Sequence, residues 1–226
     1  MTEPSPDSYP RTPRTTVRRL GDRGRYDRET VHRILDEGLV CHVGFVADGQ
    51  PFVVPMGFGR DGERLILHGS VASRLLGWLT AGAPVCVTVT HVDGLVFARS
   101  GFHSSMNYRS VMVLGTATEL ADPAEKARAL DAVIEHLAPG RSREIRPMSA
   151  KELAATRVLE LPLAEVSAKV RTGPPHDPDQ DLELPIWAGV VPLATVPGAP
   201  EPAPDLAEGI ETPESVRRWR RPADSR

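Results

Sequence analysis

Residues 65–78, LILHGSVASRLLGW, carry an apolar run into His68-Gly69-Ser70 and then to Ser73-Arg74 at the start of an amphipathic stretch. This grouping suits an anion. The first turn of a helix has unpaired backbone N–H groups and a partial positive charge, both of which favour a phosphate placed there. Ser70 is the expected N-cap of a helix over 71–81. Gly69 lets a ligand approach the backbone because it has no Cβ. Ser73 adds a hydroxyl, and Arg74 adds a planar fork of donors matched to phosphate oxygens. The same residues also describe an ordinary capped surface helix with a solvated arginine.

The remaining reactive side chains form no second constellation. His32, His42, His91, His103 and His136 show neither metal-ligand spacing nor an acidic relay, and each reads as a structural or surface histidine. No nucleophile, base and orienter set is visible, so the catalytic residues are unassigned and no metal site is expected. Phe102, His103 and Met106 are a candidate substrate pocket. Cys41 and Cys86 lie in apolar, strand-like runs and read as buried reduced thiols. A net charge of −3 and a pI near 6.2 argue against nucleic acid as a partner, although the stretches from Arg11 to Arg25 and from Arg217 to Arg221 are arginine-rich. No stretch has the apolar length of a signal-peptide core or a membrane span, so the expected setting is cytoplasmic, with no membrane partner.

The elements that must position these residues can be read from periodicity and punctuation. Asp27 caps a helix running to Glu37, with Val31, Ile34 and Leu35 on one face and Gly38 as its stop. Strands over 39–47, 51–60 and 63–68 follow, joined by Asp48-Gly49 and Asp61-Gly62, because Asp-Gly between apolar runs signals a hairpin. A second hairpin is expected from 84–90 and 95–98 around Asp93-Gly94, and a long strand over 111–120. Asp122-Pro123 opens a helix to Leu137. A short helix at Ser149 or Ala150 then leads to strands over 157–161 and 166–170. Roughly five or six strands in meander order, with helices at the crossovers, indicate a small antiparallel barrel, a mainly β (α+β) fold. The 22 prolines cluster at the N-terminus and in residues 174–213. Residues 1–19 therefore read as a disordered arm, 20–192 as the folded domain, and 193–226 as a Pro/Arg-rich tail.

LHGSVASRL resembles the phosphate segment of the pyridoxamine 5′-phosphate oxidase-like FMN-binding split barrels, where a strand leads into a Ser-Arg pair. Tyr108-Arg109-Ser110-Val111-Met112-Val113-Leu114-Gly115-Thr116-Ala117 resembles the same family's next flavin-contacting strand. Within that superfamily, VPMGFGRDGERLILHGS and Lys169-Val170-Arg171-Thr172-Gly173-Pro174-Pro175, leading to Trp187-Ala188-Gly189-Val190, are most similar to the flavin-nucleotide-binding group that includes the 5-nitroimidazole-resistance reductases. The resemblance implies an antiparallel split β-barrel with peripheral helices, a homodimer, and a flavin at the subunit interface. The cofactor it implies is FMN, with FAD or haem as alternatives.

It further implies that Val54, Pro55 and Met56 lie along the isoalloxazine, and that His68, Gly69 and Ser70 border the ring and ribityl chain. Ser73 and Arg74 would hold the phosphate, while Tyr108, Arg109 and Ser110 open the strand near the ring. Lys169, Arg171 and Trp187 would come from the second chain. The true oxidase has a lysine after its Ser-Arg pair where this chain has Leu75, so oxidation of pyridoxamine phosphate itself is not implied. The activity expected instead is FMN-dependent reduction of a small organic acceptor, nitroaromatic or quinone-like. A non-catalytic FAD, FMN or haem protein for storage or sensing, and a deazaflavin-dependent reductase, remain as alternatives.

Overall fold

Asp48 and Gly49 both adopt positive φ, 50° and 76°, the backbone that a tight two-residue hairpin turn requires. They join β2 (Cys41–Ala47) to β3 (Gln50–Met56) in the expected register. The computed structural model describes residues 6–219. In chain order the other elements are β1 (Gly24–Arg25), α1 (Arg28–Asp36), β4 (Phe58–Asp61), β5 (Arg64–Ser70), α2 (Arg74–Thr80), β6 (Pro84–Phe97), β7 (Ser105–Thr116) and β8 (Thr118–Glu119). After these come α3 (Pro123–Leu137), α4 (Ala150–Ala155), β9 (Thr156–Pro162), β10 (Glu165–Arg171), β11 (Gly189–Pro192) and α5 (Glu214–Arg217).

The strands form two antiparallel sheets, one ordered β1-β10-β7-β6-β2-β3 with β11 on β6, the other β4-β5-β9-β8. The mainly β, antiparallel reading therefore holds. Asp27 caps α1 by accepting from the Thr30 amide, and Asp122 caps α3 with Pro123 behind it, as their types require.

Three local expectations are corrected. The strand expected over 51–60 breaks at Gly57, and its halves, β3 and β4, join different sheets. Asp93-Gly94 is not a turn: β6 runs through it as a 14-residue strand, with the register shifting between Val92 and Gly94. Partners on both sides remove the need to reverse there. Asp93 accepts from the Arg109 guanidinium, and Gly94 pairs with Asn107 of β7 and with Pro192 of β11. Finally, α2 begins at Arg74 rather than 71, because Ser70 still pairs with Thr156 as the last residue of β5.

The core has two compartments divided by the smaller sheet. Leu65 and Leu67 of β5 face one, with Ile34, Val43, Val87 and Val113. Ile66 faces the other, against Leu130 and Val133 of α3 and Val158 of β9. This alternation follows from the strand's period of two, and each such fully buried side chain contributes about 1.5–3 kcal/mol.

Of the expected disordered arm, residues 1–5 lie outside the described residues, and residues 6–19 lie along the body as a strap. Tyr9 is 2% exposed, and its hydroxyl donates to Glu63 at 2.8 Å and contacts His32 Nε2 at 2.9 Å. Arg28 lies over the Tyr9 ring and pairs with Glu63. Further along, the Tyr26 hydroxyl accepts from the Val17 amide and donates to the Thr15 carbonyl. At the other end, Ser215 bonds Glu144, and Trp219 Nε1 donates to the Leu137 carbonyl at 2.7 Å.

Burial holds the imidazoles of His32, His68 and His136 below their ordinary pKa. The folded chain thus binds fewer protons than the unfolded chain, and their contribution to stability is complete above about pH 6.5 and lost as pH falls through the depressed folded values. The urea midpoint should accordingly drop between about pH 7 and about pH 5, before carboxylate titration begins near pH 4. A midpoint flat across that interval would contradict the neutral burial of these three rings.

Candidate functional site

β5 delivers the site. Its last residues pair with β9, His68 opposite Val158 and Gly69 opposite Arg157, so backbone hydrogen bonds fix where the strand ends. Ser70 does not cap α2. Its Oγ accepts from Ala72 N and its carbonyl from Ser73 N, which closes a turn. Ser73 is the N-cap, accepting from the Leu76 amide, and Arg74 is the first helical residue and exposed. The Ser73 hydroxyl keeps its own hydrogen to donate. Leu75, Leu76 and Leu79 anchor the seven-residue helix in the core.

Arg74 stands at a cavity of about 190 Å³ walled by Phe45, Phe52, Val54, Leu75 and Trp78. Phe45 and Phe52 stack with their centroids 5.5 Å apart. An apolar aromatic slot with one cation beside it matches a planar ring that carries an anionic tail. Val54 and Arg74, far apart in sequence, are thereby brought together. Met56 packs on the main core beside them, while Pro55 is exposed on the opposite face, paired across to His42.

His68 pairs with Val158 and so shares the β5 face that carries Ile66, away from the Arg74 cavity. Its Nδ1 is buried and lacks a hydrogen-bond partner among the described residues. Burial also keeps the ring neutral at ordinary pH. Cys41 is buried as expected, with its thiol pushed up to about 12, and Cys86 is half-buried.

The second group of expected residues lies elsewhere on the larger sheet. Tyr108 and Ser110 of β7 sit opposite Arg171 and Lys169 of β10, and Ser110 and Lys169 line one groove. The Arg74 cavity and the Lys169 groove share no lining residue. Arg109 points the other way. Its Nε and Nη2 donate to Asp93, both at 2.8 Å, and its Nη1 pairs with Glu37. Those hydrogen bonds outweigh the desolvation of the guanidinium and raise its pKa. Arg171, 6% exposed, is held by Asn107 and by the carbonyls of Gly173 and Pro174. Both guanidiniums are engaged within the chain, so neither is carried forward as a cofactor contact. Trp187 is 66% exposed beside Phe97. Phe102 is 91% exposed and closes no pocket with His103 and Met106.

A family model for pyridoxamine 5′-phosphate oxidase matches residues 27–170, more than half of the chain. The chain belongs to the pyridoxamine 5′-phosphate oxidase family. Two solved structures are similar to this family member over nearly their whole lengths. The flavocytochrome Anf3 of Azotobacter vinelandii is 44% identical, with a TM-score of 0.88 and coverage of 92% of this chain and 97% of that one. The FAD and haem binding protein of Mycobacterium smegmatis is also 44% identical, with a TM-score of 0.84 and coverage of 86% and 96%. A candidate 5-nitroimidazole antibiotic resistance protein of Bacteroides thetaiotaomicron is 26% identical, with a TM-score of 0.55 and coverage of 64% and 84%. No curated protein matches.

For this member of the pyridoxamine 5′-phosphate oxidase family, sequence reasoning overlooked the aromatic walls of the cavity. Phe45 and Phe52 face each other across the β2–β3 hairpin. Counting positions outward from Asp48-Gly49 would have paired them, since a tight turn fixes register.

Proposed function

We propose that the chain binds a flavin nucleotide and a haem and works as an electron-transfer oxidoreductase. The observation that carries this reading is the likeness, at 44% identity over nearly full length, to a flavocytochrome and to an FAD and haem binding protein. Residues suited to each group are present. Arg74, with the Ser73 hydroxyl, binds the flavin's phosphate, while Phe45, Phe52 and Trp78 supply apolar walls and exclude water. His68 offers a neutral imidazole with a nitrogen that has no hydrogen-bond partner, the form in which histidine binds a metal. A bound flavin supplies hydride and electron transfer and a bound haem one-electron exchange, while the chain's task is to bind, orient and tune them.

A small organic acceptor, nitroaromatic or quinone-like, is the substrate class we assign, supported by the likeness to the candidate resistance protein. A second copy of the chain completes the flavin site, bringing Lys169 and Trp187 to the ring. The exposed apolar side chains Leu95, Phe97 and Trp187 support that arrangement.

The test is the visible spectrum of the purified chain, alone and after addition of FMN, FAD or hemin. Paired flavin bands and a Soret band are expected together. In His68→Ala the Soret band should disappear while the flavin bands remain. An unchanged Soret band would remove His68 from the iron, and a chain that takes up no flavin would end the reading. Turnover with NAD(P)H and an acceptor separates an oxidoreductase from a storage or sensing protein.

A further inference from the structure

We propose that the groove between the N-terminal strap and the outer face of the larger sheet binds a diphosphate, carried either by FAD or by a free nucleoside diphosphate. The FAD source rests on the flavin-binding reading above, whereas the groove itself does not. It measures about 450 Å³, with Arg14, Arg18 and Arg19 of the strap on one side. Thr90, Ser110 and Lys169 lie on the other, and they are successive partners across β6, β7 and β10. Directly paired residues project from the same face of a sheet. Two hydroxyls and an ammonium therefore stand in one row beneath the strap's guanidiniums.

The charge is concentrated. The chain as a whole carries −3, yet residues 11–25 hold Arg11, Arg14, Arg18, Arg19, Arg23 and Arg25 against the single acid Asp22. Of the groove's cations, Arg14 is paired with Glu165. Arg18, Arg19 and Lys169 have no ion pair among the described residues. Like charges gathered without counter-charge raise the free energy until an anion joins them.

Nor is the strap a loose tether that brings the arginines there by chance. Thr15 is 1% exposed, and the Tyr26 hydroxyl holds the backbone at Thr15 and Val17. The cations are pre-positioned, which lowers the entropic cost of binding. A diphosphate places charge on two phosphorus centres and so reaches the guanidinium forks on one wall and the ammonium on the other. The hydroxyls donate to the remaining oxygens.

The experiment is calorimetric titration of the full chain, freed of any bound nucleotide, with inorganic pyrophosphate, ADP, FMN and FAD. Arg18→Ser/Arg19→Ser changes only exposed strap side chains, Lys169→Gln tests the sheet wall without touching the strap, and Arg128→Ser is a charge-matched control on exposed α3 surface. Both groove variants should lose tenfold or more in pyrophosphate and ADP affinity, with the control unchanged. If the diphosphate belongs to FAD, the FAD affinity of Arg18→Ser/Arg19→Ser falls with them while its FMN affinity holds. If it belongs to a free nucleotide, ADP affinity falls alone. Absence of pyrophosphate and ADP binding by the native chain, or equal binding by native and groove variants, overturns the proposal. Arginine-dependent pyrophosphate binding by a chain that takes up no flavin would support the groove and remove the flavin reading.

Discussion

Arg109→Ala is expected to lower the free energy of unfolding by about 3–5 kcal/mol, the cost of stranding a buried charge. The partner left behind is Glu37, whose side chain is 1% exposed and whose Oε1 already lacks a hydrogen-bond partner among the described residues. Arg109, itself 14% exposed, ties the end of α1 to β7 through Glu37, and β7 to β6 through Asp93. Urea unfolding measures the loss. An Arg109→Met/Glu37→Leu double variant should recover most of it, because an apolar pair of similar volume avoids the desolvation penalty. A loss below about 1 kcal/mol for the single variant would mean that water reaches the carboxylate and screens it.

Arg74→Ala should weaken flavin binding by about 1–3 kcal/mol, the range for a hydrogen bond to a charged group and its unpaired remainder, or roughly 5- to 150-fold in Kd. Arg74 is exposed and makes no contact that holds α2 in place; Leu75, Leu76 and Leu79 do that. Its removal should therefore leave the unfolding midpoint unchanged. Titration of the chain with FMN, followed by quenching of ring fluorescence, reads the affinity directly. Native affinity in the variant would place the phosphate away from α2.

What the sequence made legible was local. Caps at Asp27 and Asp122, the turn at Asp48-Gly49 and the alternation along β2 are set by neighbours a few residues apart. The misreadings share one cause, a residue whose partner is distant in sequence. Asp93-Gly94 looks like a turn until Arg109 and β11 occupy it. Ser70 looks like a cap until β9 extends its ladder to Thr156. Arg109 and Arg171 look free for a cofactor until Glu37, Asp93 and Asn107 are brought to them. Residues 6–19 looked disordered because their composition is poor in apolar residues, yet a single Tyr9 in its socket and a second tyrosine across the strap fix them in place.

Arg64–Leu67 of β5 pair with β4 on one side and β9 on the other, with an apolar compartment against each face. Leu65, Ile66 and Leu67 are fully buried there, so their amide exchange rates should track the largest opening of the fold. His68 and Gly69 follow directly on that segment, paired to β9, whereas Arg74 rides on a seven-residue helix held to the core by one face. A cofactor held as proposed would have one wall anchored to the protected sheet, and another free to breathe as a ligand enters and leaves.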